Sequence, residues 1–243
     1  MTKGPVDPKE IFSEIINDYK ELFGQDLVSI ILYGSATGQN YRPGKSDINF
    51  MVVLTEEGIK KLDRAFAMVK KWRKKNVAVP LFLTEPYVDA SLDVFPIEYL
   101  TFQRNHLLVF GKDILKDLKI EPKFLRLQCE REIKGKLLLL REAFLESEGR
   151  GKTLIGVITR SVQAFLSIFE ALLHLEGIDP PRAKRKIAEV TCKTFGLEPS
   201  LFNLLLDIRE EKTQHGETRI KEIFKNYLEE ISRLSKRVDR LGG

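Results

Sequence analysis

The sequence predicts an α+β protein: a small mixed sheet with helices against it over residues 1–118, then an all-α antiparallel helical bundle over residues 119–243. Three observations predict this. Before Leu118, short apolar runs rich in β-branched residues alternate with helical patterns. From Glu121 onward the apolar spacing is helical throughout. Turn residues punctuate both halves at short intervals, with no internal repeat or low-complexity segment.

Asp7-Pro8-Lys9-Glu10 starts the first helix: a capping Asp, Pro at the first helical position and Glu three residues after the cap. Ile11, Ile15, Ile16, Tyr19, Leu22 and Phe23 follow at helical spacing, and Gly24 stops it. Residues 28–33 read as a short buried strand, ended by Gly34-Ser35 and a polar loop through Pro43-Gly44. Residues 47–54 read as the second strand. A helix is predicted over 56–75, with Ile59, Leu62, Phe66 and Val69 on one face. Its cationic end, residues 70–75, suits the negative end of the helix dipole; a phosphate-binding patch is the alternative. Residues 77–83 form a predicted third strand, and 85–92 a short helix or irregular connection. Residues 94–100 are predicted as a fourth strand, placed near an edge or bulge by Pro96. A fifth short strand is expected over 107–110.

The second half reads as five helices, over residues 124–145, 152–175, 182–195, 199–213 and 217–241. Glu130, Lys134 and Arg141 share the margin of the first, as salt-bridge partners or as the lining of a cleft. The second is the most apolar, its polar residues Arg160, Gln163, Ser167, Glu170 and His174 forming one narrow stripe, as befits the central helix of a bundle.

The chain has 243 residues, 43% of them hydrophobic and 31% charged, which places it among globular proteins with a highly charged surface. No apolar run is read as membrane-spanning, and the N-terminus lacks a basic region followed by an apolar core. Cys129 and Cys192, far apart in helical contexts, are expected as reduced thiols in a cytoplasmic protein and not as a disulfide or zinc framework. Many Lys, Glu and Arg with few Asn, Gln and Cys hint at a thermophilic source. Basic and acidic residues balance over 1–118, so the net +5 arises entirely beyond residue 118. So modest an excess reads first as a mixed helical surface, and second as an attraction for an anionic partner.

Function is concentrated in residues 27–54. Asp47 and Asn49, two apart at the start of a strand, leave the same face. A Gly-Ser turn facing two oxygen donors suits a metal-bound triphosphate. Gly34-Ser35, a spacer, then Asp47-Ile48-Asn49 resembles the nucleotidyltransferase superfamily typified by DNA polymerase β and the kanamycin nucleotidyltransferases. Its signature is Gly-Ser followed, on the next strand, by Asp-x-Asp or Asp-x-Glu; here the second acid is Asn49. The resemblance covers residues 10–115 and implies Mg2+, or Mn2+, and a nucleoside triphosphate. Gly34 lets the backbone approach a phosphate, Ser35 donates to it, and Asp47 is the main metal ligand. Asn49 holds the second ligand position, where its amide oxygen brings no charge. The family's third carboxylate, a base and ligand from a later strand, is assigned to Glu98, with Asp93 as runner-up. Lys45, Ser46 and Arg42 lie where they could reach phosphates.

The helical half resembles, in architecture, the domain that follows in kanamycin-type enzymes and in the minimal nucleotidyltransferases that pair with HEPN proteins. Two readings follow from the resemblance. One is a magnesium-dependent enzyme moving a nucleoside monophosphate from a nucleoside triphosphate to an unknown acceptor. The other is a degenerate member binding a nucleotide or a protein partner without turnover. Nucleic acid and a homodimer stay open as partners; a membrane is not expected. A remote third reading comes from Arg209 and His215, whose spacing resembles the Arg-x(4–6)-His motif of HEPN ribonucleases, although charged helix ends produce such pairs freely.

Overall fold

A computed structural model describes residues 4–38, 41–44 and 46–241. The chain divides into two compact units, Met1–Ile120 and Glu121–Gly243.

The first unit is built on four strands, β1 (Leu27–Tyr33), β2 (Asn49–Leu54), β3 (Leu81–Leu83) and β4 (His106–Gly111), in the order β3-β2-β1-β4. β2 and β4 run antiparallel to β1, and β3 runs parallel to β2. Strand alternation divides the apolar residues between two faces. Ile30, Leu32, Phe50, Val52 and Leu54 face α1 (Phe12–Phe23) and the buried Trp72 of α3 (Phe66–Arg73). Ile31, Met51 and Val53 face Val88 of α4 (Glu85–Ala90) and Tyr99 of α5 (Pro96–Arg104). Burial on both faces explains why β1 and β2 read as largely apolar runs without polar alternation. Each fully buried large side chain contributes about 1.5–3 kcal/mol.

The start of the chain folds as its capping pattern predicts. Asp7 N donates to Glu10 Oε1 at 3.0 Å, and Asp7 Oδ1 accepts from Lys9 N at 2.9 Å. The first turn, Pro8–Ile11, is a 3-10 turn that runs into α1.

The helix predicted over 56–75 is divided. One turn, α2 (Glu56–Ile59), leads through a 3-10 turn at Leu62–Ala65 to α3. Asp26 anchors the break: its carboxylate accepts from Thr55 Oγ1 at 2.7 Å and from Lys61 Nζ at 2.7 Å. A Cβ on Gly58 would stand 2.8 Å from that of Asp26, so this turn lies tight against the start of β1. The strand predicted over 77–83 is regular only at β3, plus a bridge between Ile48 and Val77.

The fourth strand predicted over 94–100 is a helix. Pro96 is the first residue of α5, where its missing N–H is no loss and its fixed φ favours the helix. Ile97 and Leu100 then fall on the buried side, and Thr101 Oγ1 donates to Ile97 O at 2.9 Å.

The second unit consists of α6 (Pro122–Glu146), α7 (Gly151–Leu175), α8 (Lys184–Phe195), α9 (Pro199–Arg209) and α10 (Glu217–Val238). α7 packs against the other four. Phe165, Phe169, Phe202, Phe224 and Tyr227 join in a chain of mostly edge-to-face contacts, and Phe144 stacks on Phe224 at 5.6 Å. By length and apolarity α7 does reach membrane-spanning size, contrary to the sequence reading, although its apolar side is packed into the bundle. Glu130 and Lys134 are salt-bridge partners at 2.6 Å, and Lys134 also reaches Asp239 at 2.8 Å. Cys129 and Cys192 are buried free thiols, and burial, with the nearby carboxylates of Glu230 and Glu198, pushes Cys192 up to about 12.

Candidate nucleotide site

The motif gathers at one end of the sheet, where β1 ends and β2 begins. Tyr33 is the last residue of β1, and it pairs with Asn49 on one side and His106 on the other. Gly34 then turns the chain out of the sheet with φ +77°, a conformation an L side chain rarely adopts. Its N–H donates to Asn105 O at 3.3 Å, and its carbonyl accepts from Thr37 Oγ1 at 2.8 Å. Together these bonds fold Gly34–Thr37 into a 3-10 turn on which Ser35 is exposed. A Cβ on Gly34 would lie 3.5 Å from Asn49 Nδ2. The two halves of the motif, separate in sequence, are therefore neighbours.

The approach to β2 is held from the far side. Asn76 Nδ2 donates to Ser46 O at 2.8 Å, Ile48 N donates to Asn76 O at 3.0 Å, and Ala78 N donates to Ile48 O at 3.0 Å. Ile48 is fully buried in the core under α1 and Trp72. Alternation therefore turns Asn49 to the opposite side, the side of Ile31 and Met51, and Asp47 lies two residues before it, ahead of the strand. Asp47 is exposed and Asn49 half-buried. Ser46 Oγ accepts from Arg42 N at 3.1 Å, so the hydroxyl closes its own turn. Lys45 lies outside the described residues.

Glu98 is not a strand residue. It sits exposed in the first turn of α5, and Asp93 is exposed in the turn before it. α5 does cover the face that bears Asn49, since Phe102 meets Tyr33 edge-on at 4.9 Å. The resemblance assigns the third carboxylate to a later strand, and here Glu98 stands on a helix instead.

The donors do not fit a two-cation centre. Two hard cations held side by side against a triphosphate need more than one carboxylate from the protein to bridge and neutralise them. Asp47 supplies one carboxylate and Asn49 a neutral amide. Among the described residues no group of three or more Asp, Glu, His or Cys side chains is placed to hold a metal ion.

Two contributors had no signal in the motif. Tyr33 lies between Asn49 and His106 in the row, and burial pushes its phenol above the ordinary tyrosine value. His106 has oxygen acceptors at both ring nitrogens: Phe102 O and Gln103 O at 3.0 Å from Nδ1, and both Asp113 oxygens at 3.1 Å from Nε2. Asp113 Oδ1 also accepts from Leu115 N and Lys116 N at 3.2 Å. The imidazole thus pins the end of α5 to the turn after β4. Asn105, whose carbonyl holds Gly34, lies between these anchors. In the second unit, Arg209 ends α9 and His215 lies in the connection to α10, its Nε2 buried with no hydrogen-bond partner among the described residues.

No protein-family model matches the chain. No curated protein matches it either. Among solved structures, the chain is similar to the spectinomycin adenyltransferase AAD(9) from Enterococcus faecialis, a structure with ATP and spectinomycin. The two are 13% identical with a TM-score of 0.48, over 94% of this chain and 99% of that one.

Proposed function

We propose that the first unit is a nucleotidyltransferase-like domain that binds a nucleoside triphosphate at the end of β1 and β2, with transfer activity weak or absent. The supporting observation is that the Gly34 turn directly follows Tyr33, the strand partner of Asn49, so turn and Asn49 are neighbours. This joins a turn that a phosphate can approach to the strand position that carries an acid in the family the motif resembles. Gly34 leaves the backbone uncovered, and Ser35 presents an exposed hydroxyl as donor to a phosphate oxygen. Asp47 beside them is a single anionic oxygen donor. With Asn49 neutral and Glu98 on a helix, the charge needed to gather two cations around a triphosphate is missing. The acceptor of any transfer is left open.

Isothermal titration of wild type, Asn49→Asp and Asn49→Asp with Asp47→Ala, with and without magnesium, tests this. Wild type is expected to bind magnesium-nucleotide weakly. Asn49→Asp is expected to tighten binding about tenfold in magnesium only, since a second carboxylate helps the cation and repels a bare triphosphate. The gain is expected to vanish in the double variant. Tight magnesium-dependent binding by wild type, unchanged in Asn49→Asp, would reject the weak-site reading in favour of a working enzyme that tolerates Asn.

A further inference from the structure

α6 carries two apolar faces. Leu125, Cys129, Ile133, Leu137 and Leu140 are buried in the bundle. On the outer side Leu127, Leu138, Leu139 and Leu145 are 56%, 62%, 63% and 75% exposed. At about 100° per residue, Leu127, Leu138 and Leu145 fall within about 20° of one another, so they form a stripe. Gly135 lies beside that stripe, exposed in the middle of the helix, where a Cβ would meet nothing within 4 Å. Glycine weakens a helix interior, and no packing in the described molecule requires it here. Its use is explained if another helix comes close at that point, because a missing side chain leaves a hole for a facing ridge.

The charges beside the stripe say what that helix is. Arg131 precedes Gly135 by one turn, and Glu142 follows Leu138 by one turn. Consider a second α6 laid antiparallel across the first, about a two-fold axis midway between Gly135 and Leu138. Leu138 of each copy then meets Gly135 of the other, and Arg131 of each meets Glu142 of the other. A self-complementary pattern of this kind is what an isologous contact requires. A foreign helix would not need the opposite charges to be spaced symmetrically about one point. We propose that the outer face of α6 is an interface between two copies of this chain, packed antiparallel with Leu138 seated over Gly135 and Arg131 paired with Glu142 across the axis.

Analytical ultracentrifugation over about 1–100 µM reads the outcome, because dissociation constants in this range fall within the window. Wild type is expected to dimerise. Glu142→Arg and Arg131→Glu, each placing like charges opposite one another, are each expected to raise the dissociation constant about tenfold or more. The Arg131→Glu, Glu142→Arg double variant restores the opposite pairing and is expected to recover the wild-type constant. Gly135→Leu fills the hole and is expected to give a monomer with an unchanged circular dichroism spectrum. These residues are exposed, so the fold is retained, and the two single reversals check one another. A wild-type monomer across the range overturns the proposal. So does a dimer that neither reversal weakens, or a loss that the double variant does not repair.

Discussion

The two faces of the sheet are built to different standards. One is a broad core, with α1 and α3 laid over Ile30, Leu32, Phe50, Val52 and Leu54, and with Tyr19 and Trp72 fully buried. The other has fewer buried residues, covered by the short helices α4 and α5. The motif residue Asn49 lies on the second face, in a row with Tyr33 and His106. A polar group can stay half-exposed only where cover is thin, so one face holds the sheet together while the other leaves its end open to a ligand.

Three perturbations test that division. The largest effect is expected for Trp72→Ala, about 3–5 kcal/mol of stability, since it removes a fully buried indole from the broad face. Denaturant unfolding measures it; a loss under about 1 kcal/mol would show that this face does not carry the unit. His106→Ala is expected to cost less, about 1–3 kcal/mol, by leaving Asp113 and the last carbonyls of α5 without their shared donor. Its signature is local: the amide resonances of Gly34 and Asn49 shift, whereas a folded, milder change at Trp72 such as Trp72→Phe leaves them in place. The smallest effect lies outside the broad face, where Lys75 and Lys71 of the α3 end hold the Glu14 carboxyl of α1 below its ordinary value. A depressed carboxyl stabilises the fold above its unfolded pKa, and that stability is lost as pH falls through the folded value. Glu14→Gln should therefore flatten the acid limb of the stability curve by no more than about 0.5 kcal/mol, because the groups are solvent-exposed.

Legibility followed element length. The five helices of the second unit run from 11 to 25 residues, long enough for the 3.6-residue period to repeat, and their positions were readable within a few residues. In the first unit β1 and β2 were legible because burial on both faces leaves short, largely apolar runs bounded by turn residues. Residues 94–100 were not: Ile97 and Leu100, three apart, share a helix face, but seven residues are too few for that period to stand out from a run of apolar residues, and Pro96 marks an edge strand or a helix start equally well. The break after Ile59 was hidden because it depends on Asp26, a residue some thirty positions away. The Gly34–Asn49 neighbourhood could be argued from strand–turn–strand order alone. His106 could not, since its role depends on carbonyls at the end of a helix that the sequence presented as a strand.

The placement of α7 has a consequence for biosynthesis. Three of the four helices that cover it, α8, α9 and α10, are encoded after it. A ribosome therefore releases the most apolar segment of the chain before most of its cover exists, and α10 is the last of the covering helices to arrive. During that interval an apolar stretch of membrane-spanning length stands open to whatever meets a nascent chain, chaperone or aggregate alike.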